Sequence, residues 1–214
     1  MKIFVVGEAT YYASFIKNAV LVNNIKEADI VLFTGGEDVD PSLYGEQKCT
    51  ETNSYLPRDI KEKEIFNQIT KKQLALGICR GSQFLCVMNG GKLVQHCTNH
   101  AIHGTHEITN GNLSYDITST HHQMQYPYNL NKEDYTILYK SATIRSSVYT
   151  GYGIDTSLIC LKGEPEIVVY HKVDKPMCLA IQGHPEYMRK NAPVINMLNT
   201  LINKLLKELK NESK

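Results

Sequence analysis

Leu76-Gly77-Ile78-Cys79-Arg80-Gly81-Ser82-Gln83 is the stretch on which the reading of the whole chain turns. The run Leu74 to Ile78 is continuously apolar, as expected of a strand buried on both faces. Ser82 to Met88 is helical in pattern, and Gly90-Gly91 follows where a C-terminal cap belongs. Cys79 therefore sits in a Gly-x-Cys-x-Gly turn between a strand and a helix, the cysteine form of a nucleophile elbow. The two glycines let neighbouring backbone pass close to a strained nucleophile. The helix start behind Cys79 offers unpaired N–H groups and a positive dipole end, and both favour thiolate over thiol. The N–H of Arg80 points where an oxyanion would form. A core cysteine in a glycine turn is the competing reading, and the strand and helix on either side weigh against it.

Outward from the elbow, the first half alternates apolar runs with helical ones. Ile3 to Val6 and Ile30 to Phe33 read as strands, a short helix is expected around Ala13 to Asn18, and Pro57 opens a long helix. This spacing points to parallel βαβ units with helices on both faces, a three-layer α/β sandwich with a mainly parallel central sheet. In the second half Ile108 to Thr118, Tyr135 to Ala142, Glu166 to His171 and Met177 to Ile181 are strand-like, with turn residues such as Asn110-Gly111, Gly151, Gly153 and Gly163 separating some of them. Val194, Met197, Leu198, Leu201, Ile202, Leu205 and Leu209 lie on one face of a closing helix over Pro193 to Leu209, which is expected to pack on the sheet. With no internal repeat and no linker, residues 1–214 read as one domain.

Composition narrows the function. Lys and Arg number 23 against 22 Asp and Glu, so no basic face supports nucleic-acid binding. No run has the length of a membrane span, and the opening Met-Lys-Ile-Phe-Val-Val is not a secretory signal. Six irregularly spaced cysteines in a chain of 214 residues suit free thiols in the cytoplasm.

A cysteine nucleophile needs a base, and the base an orienting group. Gln182-Gly183-His184-Pro185-Glu186 can supply both: His184 follows a strong strand, and in extended backbone Glu186, two residues on, shares its side. Alone, Gly-His-Pro-Glu is an ordinary surface turn; beside a cysteine elbow it becomes a catalytic pair. Thr34-Gly35-Gly36-Glu37-Asp38-Val39-Asp40-Pro41 ends another strand at the sheet edge where such folds bind ligands, and its N–H groups could complete an oxyanion hole.

Three blocks, 34–46, 77–83 and 182–186, together resemble the class I glutamine amidotransferase superfamily. The runs Asp38-Val39-Asp40-Pro41 with Tyr44-Gly45-Glu46, Arg58-Asp59 with Glu62, Gly90-Gly91-Lys92-Leu93 with Gln95, and Ser119-Thr120-His121-His122-Gln123 look like its γ-glutamyl hydrolase branch. The resemblance spans roughly residues 30 to 190. It implies a flavodoxin-like fold with the site at the carboxyl edge of the sheet. It makes Cys79 the nucleophile, His184 the acid and base, and Glu186 its orienter. Gly36 and Arg80 would supply oxyanion-hole N–H groups. Gly35, Gln83, Ser119, Thr120, His121, His122 and Gln123 would bind the glutamate part of a small γ-glutamyl substrate. No metal or cofactor is implied.

The chain departs from that pattern in two places. Gly183 stands where an aromatic residue usually precedes the histidine, which is expected to loosen the wall beside His184. The stretch from Gly7 to Gly35 is short, so one βα unit is expected to shrink to a stub around Ala19 to Asn24. Tyr11 and Tyr12 fit either the pocket mouth or plain packing. His96, Cys97, His100, His103 and His106 suggest zinc, but they lack a Cys-x-x-Cys pair and are read as non-metal residues. The function expected is hydrolysis of a γ-glutamyl amide. The alternatives are a glutaminase subunit feeding ammonia to a partner synthase and a catalytically inactive binding domain.

Overall fold

The computed structural model describes residues 1–211. The strands are β1 Lys2–Val6, β2 Val20–Leu21, β3 Ile30–Phe33, β4 Leu74–Ile78, β5 Lys92–Val94, β6 His96–Cys97, β7 Ala101–Thr109, β8 Ser114–Thr120, β9 Met124–Tyr126, β10 Tyr135–Ser141, β11 Tyr149–Thr150, β12 Pro165–Tyr170 and β13 Cys178–Ile181. The α-helices are α1 Leu56–Phe66, α2 Arg80–Met88, α3 Thr156–Lys162 and α4 Pro193–Asn211.

Nine strands form one sheet in the order β2-β1-β3-β4-β13-β12-β10-β7-β8. From β2 through β13 all neighbours are parallel, giving the 2-1-3-4-5 order of a flavodoxin-like sheet. From β12 onward the pairs are antiparallel. The central strands are unbroken apolar runs because both faces are covered. Ile30 and Leu32 of β3, with Leu74, Leu76 and Ile78 of β4, pack on the α4 side among Val194, Leu198 and Ile202. The alternate residues Val31, Phe33 and Ala75 face Phe66 of α1 and Phe84 and Leu85 of α2. Each such fully buried branched or aromatic side chain contributes about 1.5–3 kcal/mol.

Two expectations are corrected. The run Ile108 to Thr118 is not one strand: Asn110 and Gly111 reverse it, so β7 and β8 form a hairpin. Asn110 Oδ1 accepts from the N–H groups of Asn112 and Leu113, and Gly111 takes φ +91°, a conformation costly for other residues. The short helix near Ala13 is a 3-10 turn over Thr10–Phe15. Helix α3 occupies a stretch left unassigned from sequence, started by Asp155 accepting from the Ser157 N–H. The shortened N-terminal unit is present as β2, two residues long, joined to β3 by a single 3-10 turn.

Buried Asn199 on α4 ties the last helix to the first turn. Its Oδ1 accepts from the Lys17 N–H at 2.7 Å, and its Nδ2 donates to the Phe15 carbonyl at 2.9 Å.

Candidate active site

Cys79 links β4 to α2 with φ +52° and ψ −110°, strained backbone for a residue with a Cβ. Close packing on both sides holds it there. A Cβ on Gly77 would lie 2.5 Å from the Gly81 carbonyl carbon, and one on Gly81 would strike the Phe33 carbonyl. The Cys79 N–H donates to the Ile181 carbonyl at 2.8 Å, stitching the elbow to the end of β13. Its carbonyl accepts from the Ser82 N–H at 3.0 Å and the Ser82 hydroxyl at 2.6 Å. Cys79 is 8% exposed. All six cysteines are free thiols, and burial raises the pKa of Cys86 and Cys178 to about 12.

His184 follows β13 directly. Its Nδ1–H donates to Glu186 Oε1 at 2.7 Å, and its imidazole is close enough to Cys79 to interact with it electrostatically. The pairing with Glu186 forms across a 3-10 turn over Pro185–Tyr187, not across the extended backbone expected. Burial by itself would lower the His184 pKa. Interaction with Cys79 and Glu186, the latter through the hydrogen bond, outweighs it and pushes the value up to about 10. The imidazole therefore favours its cationic form at neutral pH. Strand β8 fixes the histidine backbone: its N–H donates to the Thr118 carbonyl at 3.0 Å, and the Thr118 hydroxyl donates back to the His184 carbonyl.

The glycine turn after β3 lies against this pair. A Cβ on Gly35 would lie 2.5 Å from the Tyr12 hydroxyl and 3.5 Å from His184 Cε1. Gly36 takes φ +133°, and its outer side is covered by Arg58. Cys79, Arg80, Gly35, Gly36, His184 and Glu186 are thus drawn to one place, at the carboxyl ends of β3, β4 and β13. Tyr187 stacks on the His184 ring at 4.8 Å and 11°. Tyr11 sits 4.7 Å from Tyr12 and is half exposed, as is Tyr187.

The remaining expected residues divide. Gln83 and Gln123 meet, Gln83 Nε2 donating to the Gln123 carbonyl at 2.9 Å, and Gln123 Nε2 reaches Thr52 Oγ1 at 3.2 Å. Ser119, His121 and Gln123 are buried. The Ser119 hydroxyl donates to the His100 carbonyl, and His121 Nδ1 lies 2.8 Å from the Gln123 carbonyl. Each of these side chains makes an internal hydrogen bond, while His121 Nε2 and Gln123 Oε1 stay buried without one among the described residues. Burial, then the neighbouring His100, holds the His121 pKa well below the ordinary histidine value. Thr120 is exposed, and His122 pairs with Asp38 at 3.2 Å, a hydrogen bond that raises the His122 pKa.

Gly183 leaves no gap where an aromatic residue was expected. Strand β8 fills the space, since a Cβ there would lie 2.7 Å from the Thr118 carbonyl and 2.8 Å from Ile117. The aromatic surface beside His184 comes instead from Tyr187. Of the histidine-rich stretch, His100 and His106 approach Glu166, with ligand-type atoms within 4.8 Å of one another. His106 Nε2 is hydrogen-bonded to Glu166 at 2.7 Å, whereas His100 Nε2 lies 3.2 Å from Glu164 and neither His100 nitrogen makes a hydrogen bond among the described residues. His103 lies apart on the exposed side of β7.

A flavodoxin-like parallel sheet, a cysteine at the strand–helix elbow and a His–Glu pair on the next strand together define a protein of the class I glutamine amidotransferase superfamily. The chain belongs to the peptidase C26 family, whose model matches residues 12–148, a span that includes Cys79 and stops short of His184. A protein of Mycobacterium tuberculosis provisionally named a glutamine amidotransferase is 37% identical over 83 residues, 38% of this chain and 27% of that one. Protein NtpR of Enterococcus hirae is 36% identical over 80 residues, 36% of this chain and 33% of its own. The matches thus span about a third or less of these relatives. Among solved structures, one from Thermoplasma acidophilum, provisionally named a GMP synthase subunit, aligns over 100% of this chain and 97% of its own, with TM-score 0.61 and 18% identity. A glutamine amidotransferase from Thermotoga maritima aligns over 99% of this chain and 97% of its own, with TM-score 0.55 and 13% identity. At these identities the likeness is one of fold.

Proposed function

We propose that the protein hydrolyses a γ-glutamyl amide through a thioester on Cys79. The reading rests on one observation, a cysteine on a strained elbow that interacts with a histidine hydrogen-bonded to Glu186. Cationic His184 stabilises the Cys79 thiolate. The sulfur attacks the γ-carbonyl, and the oxyanion is met by the N–H groups of Arg80 and Gly36. His184 protonates the departing nitrogen, the C–N bond breaks and the amine leaves. Neutral His184 then takes a proton from water, whose hydroxide opens the thioester; glutamate departs and the thiolate–imidazolium pair is restored. Glu186 keeps Nδ1 protonated, so the other ring nitrogen faces the sulfur.

The test is glutamate release from a panel of γ-glutamyl amides, free glutamine included. The purified protein should turn over at least one without a partner, and Cys79→Ala should abolish turnover. His184→Asn should cost about 10²–10⁴-fold. Undiminished activity in Cys79→Ala would remove the proposed nucleophile. The likeness to a protein provisionally named a GMP synthase subunit motivates the other reading, a glutaminase that serves a separate synthase chain. That reading requires glutamine turnover only when a synthase is added.

A further inference from the structure

The buried cluster on α1 and α2 has no part in the scheme above, yet it touches both arms of the oxyanion hole. Arg58 Nη2 donates to the Gly35 carbonyl at 2.9 Å and reaches the Thr34 carbonyl and hydroxyl at 3.3 Å. The Gly35–Gly36 peptide is trans, so its C=O and N–H point opposite ways. With the carbonyl held on Arg58, the Gly36 N–H is turned to the other side of the turn. The same turn lies beside the imidazole, since a Cβ on Gly35 would lie 3.5 Å from His184 Cε1.

Arg80 carries the second N–H, and its side chain is anchored as firmly. Its two terminal nitrogens donate to Glu62 Oε2 and Asp59 Oδ1, one turn apart on α1. All three side chains are almost fully buried. Glu62 uses its other oxygen, Oε1, to accept from Arg58 Nε at 2.8 Å. One carboxylate therefore joins the side chain that aims the Gly36 peptide to the side chain of the residue that supplies the Arg80 N–H.

We infer that Glu62 is a positioning residue that sets the spacing of the two oxyanion-hole donors through Arg58 and Arg80. The inference takes its oxyanion hole from the proposed function, but no part of it depends on the substrate being γ-glutamyl. A carboxylate suits the role because each oxygen accepts a charge-assisted bond from a different guanidinium, which an amide cannot reproduce on both sides.

Two thiol probes separate positioning from general damage. Acylation of Cys79 by p-nitrophenyl acetate passes through a tetrahedral oxyanion, whereas alkylation by iodoacetamide displaces iodide at a saturated carbon and needs no oxyanion hole. Glu62→Gln and Arg58→Ala should each slow acylation on the order of ten- to a hundred-fold, below the loss for deleting a donor outright. Alkylation should stay within about threefold of the parent, since the Cys79–His184 pair is left in place. Arg58→Lys, which keeps the charge but not the fork, should fall between parent and alanine. Arg58 is partly exposed, so its variants serve if Glu62→Gln does not fold. Acylation within about threefold of the parent in the variants, a parallel fall in both probes, or a parent that is not acylated would each overturn the inference. A parent acylated by the ester but inert toward every γ-glutamyl amide would defeat the proposed function and leave the role of Glu62 standing.

Discussion

His184 carries the pH dependence of the site, and its sign follows from its surroundings. Its folded pKa stands near 10 against an ordinary value of 6.5. A histidine raised in this way contributes stability that is complete below about pH 6.5 and is lost as pH climbs through about 10. In the proposed scheme the same proton is delivered to the leaving nitrogen, so kcat/KM should fall on its alkaline side near pH 10. Glu186→Gln removes one of the two supports for the cation. Its alkaline limb should move to lower pH, and a pH–rate profile unchanged from the parent would rule out Glu186 as the orienting group. Tyr187, which stacks on the same ring, was not foreseen from sequence. The expectation of an aromatic neighbour was tied to position 183, and only the folded turn brings position 187 over the imidazole.

At the scale of elements, the elbow was legible because its constraints are local. The glycines at 77 and 81 mark close approaches of backbone to backbone, and the apolar run before them can only be a buried strand. The hairpin β7–β8 was less legible, since alternating residues continue on both sides of Asn110-Gly111. Its role at the site was hidden altogether. Thr118 pins His184 from a distance of 66 residues, and no spacing rule anticipates such a contact. Arg58, Asp59 and Glu62 stand in the sequence only as part of the family resemblance, and their meaning depends on what α1 faces. Strand β8 also explains Gly183. Gly183→Ala would push a methyl into the Thr118 carbonyl and the Ile117 side chain, and should cost about 1–3 kcal/mol. A shift in urea midpoint at constant m-value would measure it. A variant as stable as the parent would mean that the two strands part easily.

Across the whole molecule, the antiparallel half of the sheet extends a parallel half whose carboxyl edge holds the site. The parallel half was read from the alternation of strands and helices, whereas the sheet order beyond β13 had no counterpart in the local pattern. Packing of α4 was expected from its apolar face, but the Asn199 latch was not, because a lone polar residue there looks like surface. Asn199→Leu strands the Lys17 N–H and the Phe15 carbonyl and should destabilise the fold by about 1–3 kcal/mol. Thermal unfolding would register it, and an unchanged midpoint would show the latch to be dispensable. No helix among the described residues is long and apolar enough to cross a membrane. The bond from the Cys79 N–H to Ile181 spans about half the chain, so the thiol and its base come together only when β13 docks beside β4. Pairings this remote in sequence form slowly. On refolding from denaturant, the return of a reactive sulfur would serve as a clock for that docking, trailing the local closure of the β7–β8 hairpin.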